Sequence, residues 1–312
     1  MKNILLLGVS GFIGQNLSEK LVAENYNLLS FGRSKGLQEN IIHIPGDVRS
    51  YEKYCDIFSE YDVDCLINLL NSSDPLINDS GIEDIIDINL TGFINLLNAM
   101  EKYEVRNLIY ISSGGAIYGE HEYANTEDSP TQPISLYGWL KLACENYLSF
   151  HSKRNENFKY LILRPSNIYG KYQKNNRLIP VVIERTILGK EINIYGDLNT
   201  CKDYMYVEDF CDVISEFLKN KEFNNEIYNV GSGIGTTIKE IVEIAQVLVG
   251  RNAKIKYHDK VKGDVKHSIL DISKLRKVIK KGNNFSIENG MAESYKYIKS
   301  NLILKPTSQD EV

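Results

Sequence analysis

The distribution of apolar residues divides the first half of the chain into short apolar runs that alternate with amphipathic segments. Residues 4–7 are all apolar, which predicts a strand that is buried on both faces. Residues 15–24 predict a helix, because Leu17, Leu21 and Val22 fall on one side of it. The same alternation continues with strands at 26–31, 41–45, 65–70, 107–111 and 159–163 and helices at 52–60, 82–103 and 136–151. Repeated β–α alternation predicts an α/β fold with a doubly wound parallel sheet.

The pattern changes after residue 164, where the loops become longer and the apolar runs shorter. Helices are predicted at 178–188, 208–219 and 237–249, and short strands at 191–195, 227–230 and 254–257. We interpret residues 1–164 as one domain and residues 165–312 mainly as a smaller lobe, with the chain crossing between the two. Ligands of doubly wound sheets bind at the carboxyl ends of the strands, so the lobe is expected to cover that edge.

Three glycines lie between the first predicted strand and the first predicted helix. Gly8, Gly11 and Gly14 have the spacing G-x-x-G-x-x-G, with Phe12 and Ile13 between the last two. A sharp turn from strand to helix directs the free N–H groups and the dipole of the helix at one point, and glycine lets an anion approach the backbone closely. The spacing is a variant of the dinucleotide-binding motif that differs in its first gap. It predicts a dinucleotide site, the alternative being a glycine-rich turn without a ligand.

Tyr137 and Lys141 lie four residues apart on a predicted helix, which places them on one face with their Cβ atoms about 5–6 Å apart. An ammonium group beside a phenol favours the phenolate, and a lowered pKa makes tyrosine a usable general acid or base. Ser112 and Ser113 follow a predicted strand, where a hydroxyl can hydrogen-bond a substrate oxygen. The alternatives are an ordinary helix-surface pair and a polar turn.

Composition and charge narrow the class of protein. The 312 residues are 43% hydrophobic and 25% charged, as in an ordinary globular protein. A net charge of −5 gives no reason to expect binding to nucleic acid or to an anionic membrane. Five cysteines occur without a CxxC pair, which is typical of reduced thiols in a cytoplasmic protein, and no cluster has metal-ligand spacing. We expect no signal peptide and no membrane-spanning segment.

Several motifs occur together in one order along nearly the whole chain. They are the glycine turn, Asp47-Val48, the serines before Tyr118-Gly119, Tyr137 with Lys141, residues 164–170 (Arg-Pro-Ser-Asn-Ile-Tyr-Gly) and residues 203–209 (Asp-Tyr-Met-Tyr-Val-Glu-Asp). This combination resembles the extended short-chain dehydrogenase/reductase family, in its NAD-dependent epimerase/dehydratase branch, and within it the UDP-glucose 4-epimerases. The resemblance implies a Rossmann-type dinucleotide-binding domain at 1–164 and a C-terminal α/β lobe at 165–312 that mainly binds a nucleotide sugar.

The resemblance also assigns roles to residues. It implies that Tyr137 exchanges a proton with a sugar hydroxyl and that Lys141 holds the nicotinamide ribose and lowers the pKa of Tyr137. It implies that Asp47 and Val48 contact the adenine and that Asn167 contacts the diphosphate of a UDP- or dTDP-activated hexose. A turn residue is the alternative for Asn167. A homodimer through residues 82–103 and 136–151 is expected as well.

Three positions near the expected catalytic edge depart from the family pattern. Gly114 stands where the family's catalytic serine or threonine usually falls, so the hydroxyl must come from Ser113 or Ser112, and we favour Ser113. Gly115 and Ala116 stand where dehydratases and other relatives carry an acid or base. Without such a side chain, the chemistry that remains is hydride and proton exchange at one carbinol.

The cofactor and phosphate sites depart too. Gly32 occupies the position where a carboxylate is expected to bind the adenosine ribose of NAD, and Arg33 and Ser34 follow it. An arginine beside a serine could accept the 2′-phosphate of NADP, so the sequence leaves NAD and NADP open. Lys202 and Lys262 replace two phosphate-binding arginines, keeping the charge but losing the bidentate fork; ordinary surface lysines are the alternative.

Three functions remain at this point. The first is a nucleotide-sugar 4-epimerase, which the Tyr137, Lys141 and Ser113 set favours when no acid or base stands at 115–116. The second is an NAD(P)H-dependent reductase of 4-keto-6-deoxysugar nucleotides, which Gly32 and Arg33 favour. The third is a dinucleotide-binding sensor without catalysis.

Overall fold

The computed structural model describes residues 2–70, 81–174, 176–221, 223–259, 265–280 and 284–304. The strands are β1 (Asn3–Leu7), β2 (Asn27–Gly32), β3 (Ile41–Pro45), β4 (Cys65–Asn68), β5 (Asn107–Ile111), β6 (Lys159–Pro165), β7 (Asn167–Tyr169), β8 (Glu191–Tyr195), β9 (Cys201–Tyr206), β10 (Glu226–Val230), β11 (Gly235–Thr237), β12 (Lys254–His258) and β13 (His267–Ser268). The helices are α1 (Phe12–Ala23), α2 (Tyr51–Glu60), α3 (Ile82–Ile86), α4 (Gly92–Lys102), α5 (Gly114–Ile117), α6 (Leu136–Arg154), α7 (Leu178–Leu188), α8 (Val207–Asn220), α9 (Ile238–Val249), α10 (Ser273–Val278) and α11 (Ile287–Leu304).

A seven-stranded sheet with the order β10-β6-β5-β4-β1-β2-β3 forms the centre of the molecule. All its neighbouring strands are parallel, and β1 lies in the middle with Leu5 paired to Leu29 of β2 and to Leu66 of β4. Residues 4–7 of β1 are completely buried, because helices cover both faces of the sheet. The predicted doubly wound parallel sheet is therefore confirmed.

The second half of the chain returns to this sheet. Strand β10 pairs in parallel with β6, with Ile227 opposite Ile162. Helix α8 packs on α1, so the chain crosses back over the central sheet after residue 165. The division into a dinucleotide domain and a nucleotide-sugar lobe at residue 164 stays a prediction.

Smaller sheets lie beyond the carboxyl edge of the central one. Strand β9 pairs with β7, β11 and β13, and β8 pairs with β12. The short strands β7, β9, β11 and β13 were not anticipated from the apolar pattern, because polar residues such as Lys202 and Asp203 interrupt their runs. Among the described helices, none is long and apolar enough to cross a membrane.

Several predicted elements differ from the observed ones, and three of the differences lie near the sheet's carboxyl edge or in a helix beside it. Helix α1 begins at Phe12 rather than at residue 15, since Gly11 has the extended backbone of a residue preceding a helix. Strand β4 ends at Asn68, whose side-chain oxygen accepts a hydrogen bond from the Leu70 N–H and turns the chain. The long helix predicted at 82–103 is α3 and α4 joined by a π-helical turn at Asp87–Thr91.

Candidate active site

The glycine turn joins β1 to α1 in a conformation that few other residues could adopt. Gly8 has a φ of +84°, and its carbonyl accepts a hydrogen bond from the Gly11 N–H at 3.0 Å. A Cβ at Gly14 would overlap that same carbonyl oxygen and lie 2.8 Å from the Cα of Val9. The residue at the N-cap of α1 is Gly11, which has no side chain to cap the first turn at Phe12 and Ile13. The turn therefore fits the pyrophosphate of a dinucleotide at an open helix N-terminus.

The ends of β2 and β3 lie side by side next to this turn. The Gly46 N–H donates to the Gly32 carbonyl at 3.2 Å. Arg33 and Ser34 follow Gly32 and are exposed to solvent. The structure thus places Arg33 and Ser34 at the edge of the sheet where the adenosine half of a dinucleotide binds.

Asp47 and Val48 follow β3 at the same edge. Arg49 donates to both carboxylate oxygens of Asp47, with Nη2 at 2.5 Å and Nε at 3.0 Å, and its backbone N–H donates at 2.9 Å. These hydrogen bonds hold the pKa of Asp47 below its usual range. Val48 is buried in the core beneath. The carboxylate of Asp47 is thus already paired, which sequence reasoning did not foresee.

Tyr137 and Ser113 meet at the carboxyl end of β5. The Ser113 hydroxyl lies close enough to the Tyr137 phenol to lower the pKa of Tyr137. Tyr137 lies in the first turn of α6, which Ser135 caps by accepting the Gly138 N–H at 3.2 Å. Ser112 is 2% exposed, and its hydroxyl has no hydrogen-bond partner among the described residues. The geometry therefore brings Ser113, and not Ser112, to the tyrosine.

Lys141 is 5% exposed and lies one turn further along α6. Its ammonium donates to the Leu70 carbonyl at 3.0 Å and to the Ile111 carbonyl at 2.8 Å, and it lies 6.0 Å from the centre of the Tyr137 ring. Burial lowers the pKa of Lys141 to about 8. The ammonium thus belongs to the site but is bound mainly by backbone carbonyls.

The pKa of Tyr137 is raised rather than lowered in this structure, and the role expected of Lys141 towards the tyrosine stays a prediction. Burial raises the pKa of Tyr137, opposed by the Ser113 hydroxyl and by the positive charge of Arg177. The physical reason is that the loss of hydrating water penalises the phenolate more than these two groups stabilise it.

Two adjacent glycines at this edge have different environments. A Cβ at Gly114 would lie 2.7 Å from Leu270 and 3.0 Å from the Arg164 carbonyl, so a serine or threonine would not fit. A Cβ at Gly115 would lie 3.8 Å or more from its nearest neighbour, the side-chain amide of Asn167. Gly115 therefore opens the site beside Asn167, whereas Gly114 is required by packing.

Asn167 and Lys202 are positioned by the small sheet around β9. The Asn167 amide donates to the Asp203 carbonyl at 3.0 Å, and Lys202 pairs with Thr236 on one side and Ser268 on the other. Lys262 lies outside the described residues. Within the described parts of the chain, no three His, Cys, Asp or Glu side chains converge as metal ligands.

Sequence reasoning missed two sets of residues. Arg177 lies just before α7, and its positive charge lowers the pKa of Tyr137, but its position in the sequence gives no sign of this role.

The second set is a buried hydrogen-bond network that supports the site. Arg164 donates to Glu145 at 2.7 Å and to the Tyr118 hydroxyl at 2.8 Å, and that hydroxyl donates to Asn229 at 2.7 Å. Tyr118 and Arg164 belong to quoted motifs, but their contacts join residues far apart in the chain.

The fold and this site define a dinucleotide-dependent enzyme of the short-chain dehydrogenase/reductase type. More particularly, the chain belongs to the NAD dependent epimerase/dehydratase family, whose model matches residues 4–231. It is 30% identical over 285 residues to a putative UDP-glucose 4-epimerase of Methanocaldococcus jannaschii, covering 87% of this chain and 90% of that protein.

Two solved structures are similar throughout. The Thermotoga maritima UDP-glucose 4-epimerase with UDP-glucose is 30% identical with a TM-score of 0.90, covering 96% of this chain and 99% of that one. The Thermus thermophilus UDP-glucose 4-epimerase in complex with NAD is 27% identical with a TM-score of 0.86, covering 95% and 99%. These comparisons confirm the predicted family and fold, and they support the predicted class of NAD(P)-dependent enzyme.

Proposed function

We propose that the protein is a nucleotide-sugar C4 epimerase that works by transient hydride transfer to a bound nicotinamide cofactor. The observation that carries this proposal is that Ser113 and Lys141 both lie next to Tyr137, with no acid or base at Gly115 or Ala116. Such a site can move a proton at one carbinol, but these two positions supply no group that could deprotonate a neighbouring carbon.

Each residue of the site has one task in this proposal. The Tyr137 phenolate takes the proton of the C4 hydroxyl, and the phenol so formed returns that proton at the end of the cycle. The Ser113 hydroxyl, which lies next to Tyr137, orients the phenol and the sugar oxygen. Lys141 holds the nicotinamide ribose with its ammonium fixed by the Leu70 and Ile111 carbonyls. The bound nicotinamide supplies the hydride acceptor and donor.

The substrate is a UDP- or dTDP-activated hexose. Lys202 supplies a cation at β9 for the diphosphate, with Lys262 as a second, and Asn167 supplies an amide between the diphosphate and the open face at Gly115. Asp47 and Val48 border the adenine, with Asp47 restrained by Arg49. The similarity to epimerases solved with UDP-glucose and with NAD supports both ligands.

The direct test is incubation of the purified protein with a panel of UDP- and dTDP-hexoses without added reductant. We expect at least one sugar to give its C4 isomer. Tyr137→Phe should lower that rate about 10²- to 10⁴-fold, the range for losing a general acid–base group. Tyr195→Phe, at a half-exposed tyrosine, is the matched control and should keep the rate. No C4 isomer from any sugar would contradict the proposal.

A 4-keto-6-deoxysugar nucleotide reductase is the second candidate, favoured by Gly32 and the exposed Arg33. It needs the same Tyr137 as proton donor, and a tyrosine kept protonated by burial suits that role. It predicts that NAD(P)H is consumed one for one with a dTDP- or UDP-4-keto sugar. Turnover of a hexose with no net oxidation of added cofactor would instead favour the epimerase.

We further propose a homodimer formed through α6 and the helical segment at 82–103. Trp139 and Phe150 are 49% and 52% exposed and lie on the same face of α6. Light scattering after gel filtration should give twice the chain mass of 35.6 kDa. A Trp139→Glu and Phe150→Glu double variant should give the monomer mass, whereas Val247→Glu, at an exposed position of α9, should keep the dimer mass.

The cysteine pattern supports a cytoplasmic location.

A further inference from the structure

Two elements carry the serine and the tyrosine of the proposed active site. Ser113 precedes the single helical turn α5, and its carbonyl accepts hydrogen bonds from the N–H groups of Ala116 at 3.4 Å and Ile117 at 3.3 Å. Tyr137 lies in the first turn of α6. The backbones of α5 and α6 touch, because a Cβ at Gly138 would overlap the Ala116 carbonyl oxygen. The separation of the serine and tyrosine hydroxyls therefore depends on how α5 sits against α6.

Arg164 forms hydrogen bonds to both of these elements at once. Its guanidinium donates to Glu145 on α6 at 2.7 Å and to the hydroxyl of Tyr118, the residue that follows α5, at 2.8 Å. Because all three side chains are buried, these hydrogen bonds are stronger than they would be in water. The planar fork of the guanidinium thus links α5 to α6 in a fixed geometry.

The turn α5 is anchored at each end by a different partner. At its start, the Ser112 N–H donates to the Leu163 carbonyl at 2.8 Å, and this bond is independent of any side chain. At its end, the Tyr118 hydroxyl accepts from Arg164 and donates to Asn229 at 2.7 Å. Removing the Tyr118 hydroxyl would therefore release only the second end of the turn.

We propose that Arg164 is a positioning residue, which fixes the turn that carries Ser113 against the helix that carries Tyr137. Its bond to Glu145 holds the helix, and its bond to Tyr118 holds the turn. The Ser113 hydroxyl is thereby kept next to the phenol on which it acts. The kinetic consequence of this arrangement rests on the proposed function, whereas the geometric consequence does not.

The geometric consequence is tested by NMR of protein labelled with ¹³C at the phenol carbon of tyrosine, with Tyr137→Phe assigning the Tyr137 signal. Tyr118→Phe removes the hydroxyl that holds the turn but leaves Arg164 paired with Glu145, so this variant should fold. We expect it to shift the Tyr137 signal in the same direction as Ser113→Ala does, because the phenol loses the same neighbour. Arg164→Lys keeps a cation beside Glu145 but lacks the fork, and should give the same shift.

The matched control is Tyr228→Phe, which also removes the hydroxyl of a buried tyrosine. Tyr228 is 2% exposed, and its hydroxyl accepts a hydrogen bond from Asn224 at 3.0 Å. Its side chain faces the opposite side of the sheet from that of Asn229, since neighbouring residues of a strand alternate. The control should leave the Tyr137 signal unchanged. An unchanged signal in Tyr118→Phe, or an equal shift in the control, would overturn the proposal whether or not any sugar is turned over.

Kinetics on a sugar that the enzyme converts give the second test. Tyr118→Phe should lower kcat about tenfold and change KM by about twofold or less, because it disturbs the reacting groups rather than substrate binding. Added to Ser113→Ala, it should cause no further loss, since both variants remove the same contact. A loss that adds fully to that of Ser113→Ala would show a general structural role and overturn the proposal. Turnover of no sugar would contradict the proposed function, and the NMR shifts would still decide the role of Arg164.

Discussion

The two flanks of the central sheet form their parts of the site in different ways. The cofactor flank consists of residues 8–14, 32–36 and 46–49 at the ends of β1, β2 and β3. The catalytic flank consists of residues 112–119, 137–145 and 164 at the ends of β5 and β6 and on α6. On the cofactor flank, glycine backbones form the cradle and the charged side chains face solvent. On the catalytic flank, buried side chains hold one another in place.

This difference shows what each flank requires of its sequence. The cofactor flank needs the absence of side chains at Gly8 and Gly14, and its Arg49–Asp47 pair is half-exposed. The catalytic flank needs particular partners, because a buried charge without its counter-charge is strongly destabilising. A substitution should therefore act through steric overlap on the first flank and through lost partners on the second.

The largest expected effect compares two Arg–carboxylate pairs, one on each flank. Arg164 and Glu145 are 5% and 3% exposed, whereas Arg49 and Asp47 are 41% and 45% exposed. Glu145→Gln should lower the free energy of unfolding by about 3–5 kcal/mol, because Arg164 stays buried without a counter-charge. Asp47→Asn should lower it by about 1 kcal/mol or less. Urea unfolding measures both. Equal losses would mean that burial does not distinguish the flanks.

The same contrast explains how much could be predicted from the sequence. The cofactor flank follows from a local pattern, since Gly8, Gly11 and Gly14 lie within one strand–turn–helix unit. The pairing of Tyr137 with Lys141 on one helix was also predictable from spacing. The Arg164–Glu145 pair and the bond from Tyr118 to Asn229 join distant parts of the chain, and spacing carries no information about them.

The direction of the tyrosine pKa could not be obtained from spacing either. Four residues of separation predict proximity of Lys141 to Tyr137, but the outcome depends on burial and on Arg177, which comes from another element. The strands β7 and β9 were missed because β7 has only three residues and because Lys202 and Asp203 interrupt the apolar run of β9. Sequence patterns predict local conformation. The pKa of a buried side chain depends on tertiary contacts, because burial and charged partners act on it in opposite directions.

Lys141 gives the next prediction, which concerns pH. Burial lowers its pKa from 10.5 to about 8, so the folded protein loses this proton at a lower pH than the unfolded chain. Between those values the unfolded state binds more protons, and wild-type stability should gain about 3 kcal/mol from this group as the pH rises. Lys141→Met lacks this gain. The stability of Lys141→Met relative to wild type should therefore fall by about 3 kcal/mol between pH 8 and pH 10.5.

Urea titrations at closely spaced pH values check this difference. Below pH 8 the difference should be constant, because the lysine is protonated in both states. A difference that stays constant up to pH 10.5 would mean that the folded protein does not disfavour the ammonium. Water would then have more access to the Lys141 ammonium than the small exposed fraction of this side chain indicates.

Two glycines, one on each flank, give a third comparison. A Cβ at Gly14 would overlap the Gly8 carbonyl oxygen, and backbone cannot move aside as a flexible side chain can. Gly14→Ala should lower the free energy of unfolding by about 2–3 kcal/mol and weaken 5′-AMP binding. Gly115→Ala has 3.8 Å of room and should change stability by about 0.5 kcal/mol or less. Equal stability of the two variants would mean that the close packing of β1 against α1 does not require a glycine at position 14.

The smallest expected effect separates two neighbouring serines. Ser113 lies next to Tyr137 and lowers its pKa, whereas Ser112 is buried with no hydrogen-bond partner among the described residues. Ser113→Ala should therefore reduce kcat about tenfold to a hundredfold. It should also move the rising limb of the pH–rate profile to higher pH, because the phenol loses a group that stabilises its ionised form. Ser112→Ala should leave both the rate and the profile nearly unchanged, since no bond to the tyrosine is lost. A lower rate in Ser113→Ala without this shift in the pH–rate profile would mean that Ser113 acts on the substrate alone. The pKa of Tyr137 would then be determined by burial and by Arg177.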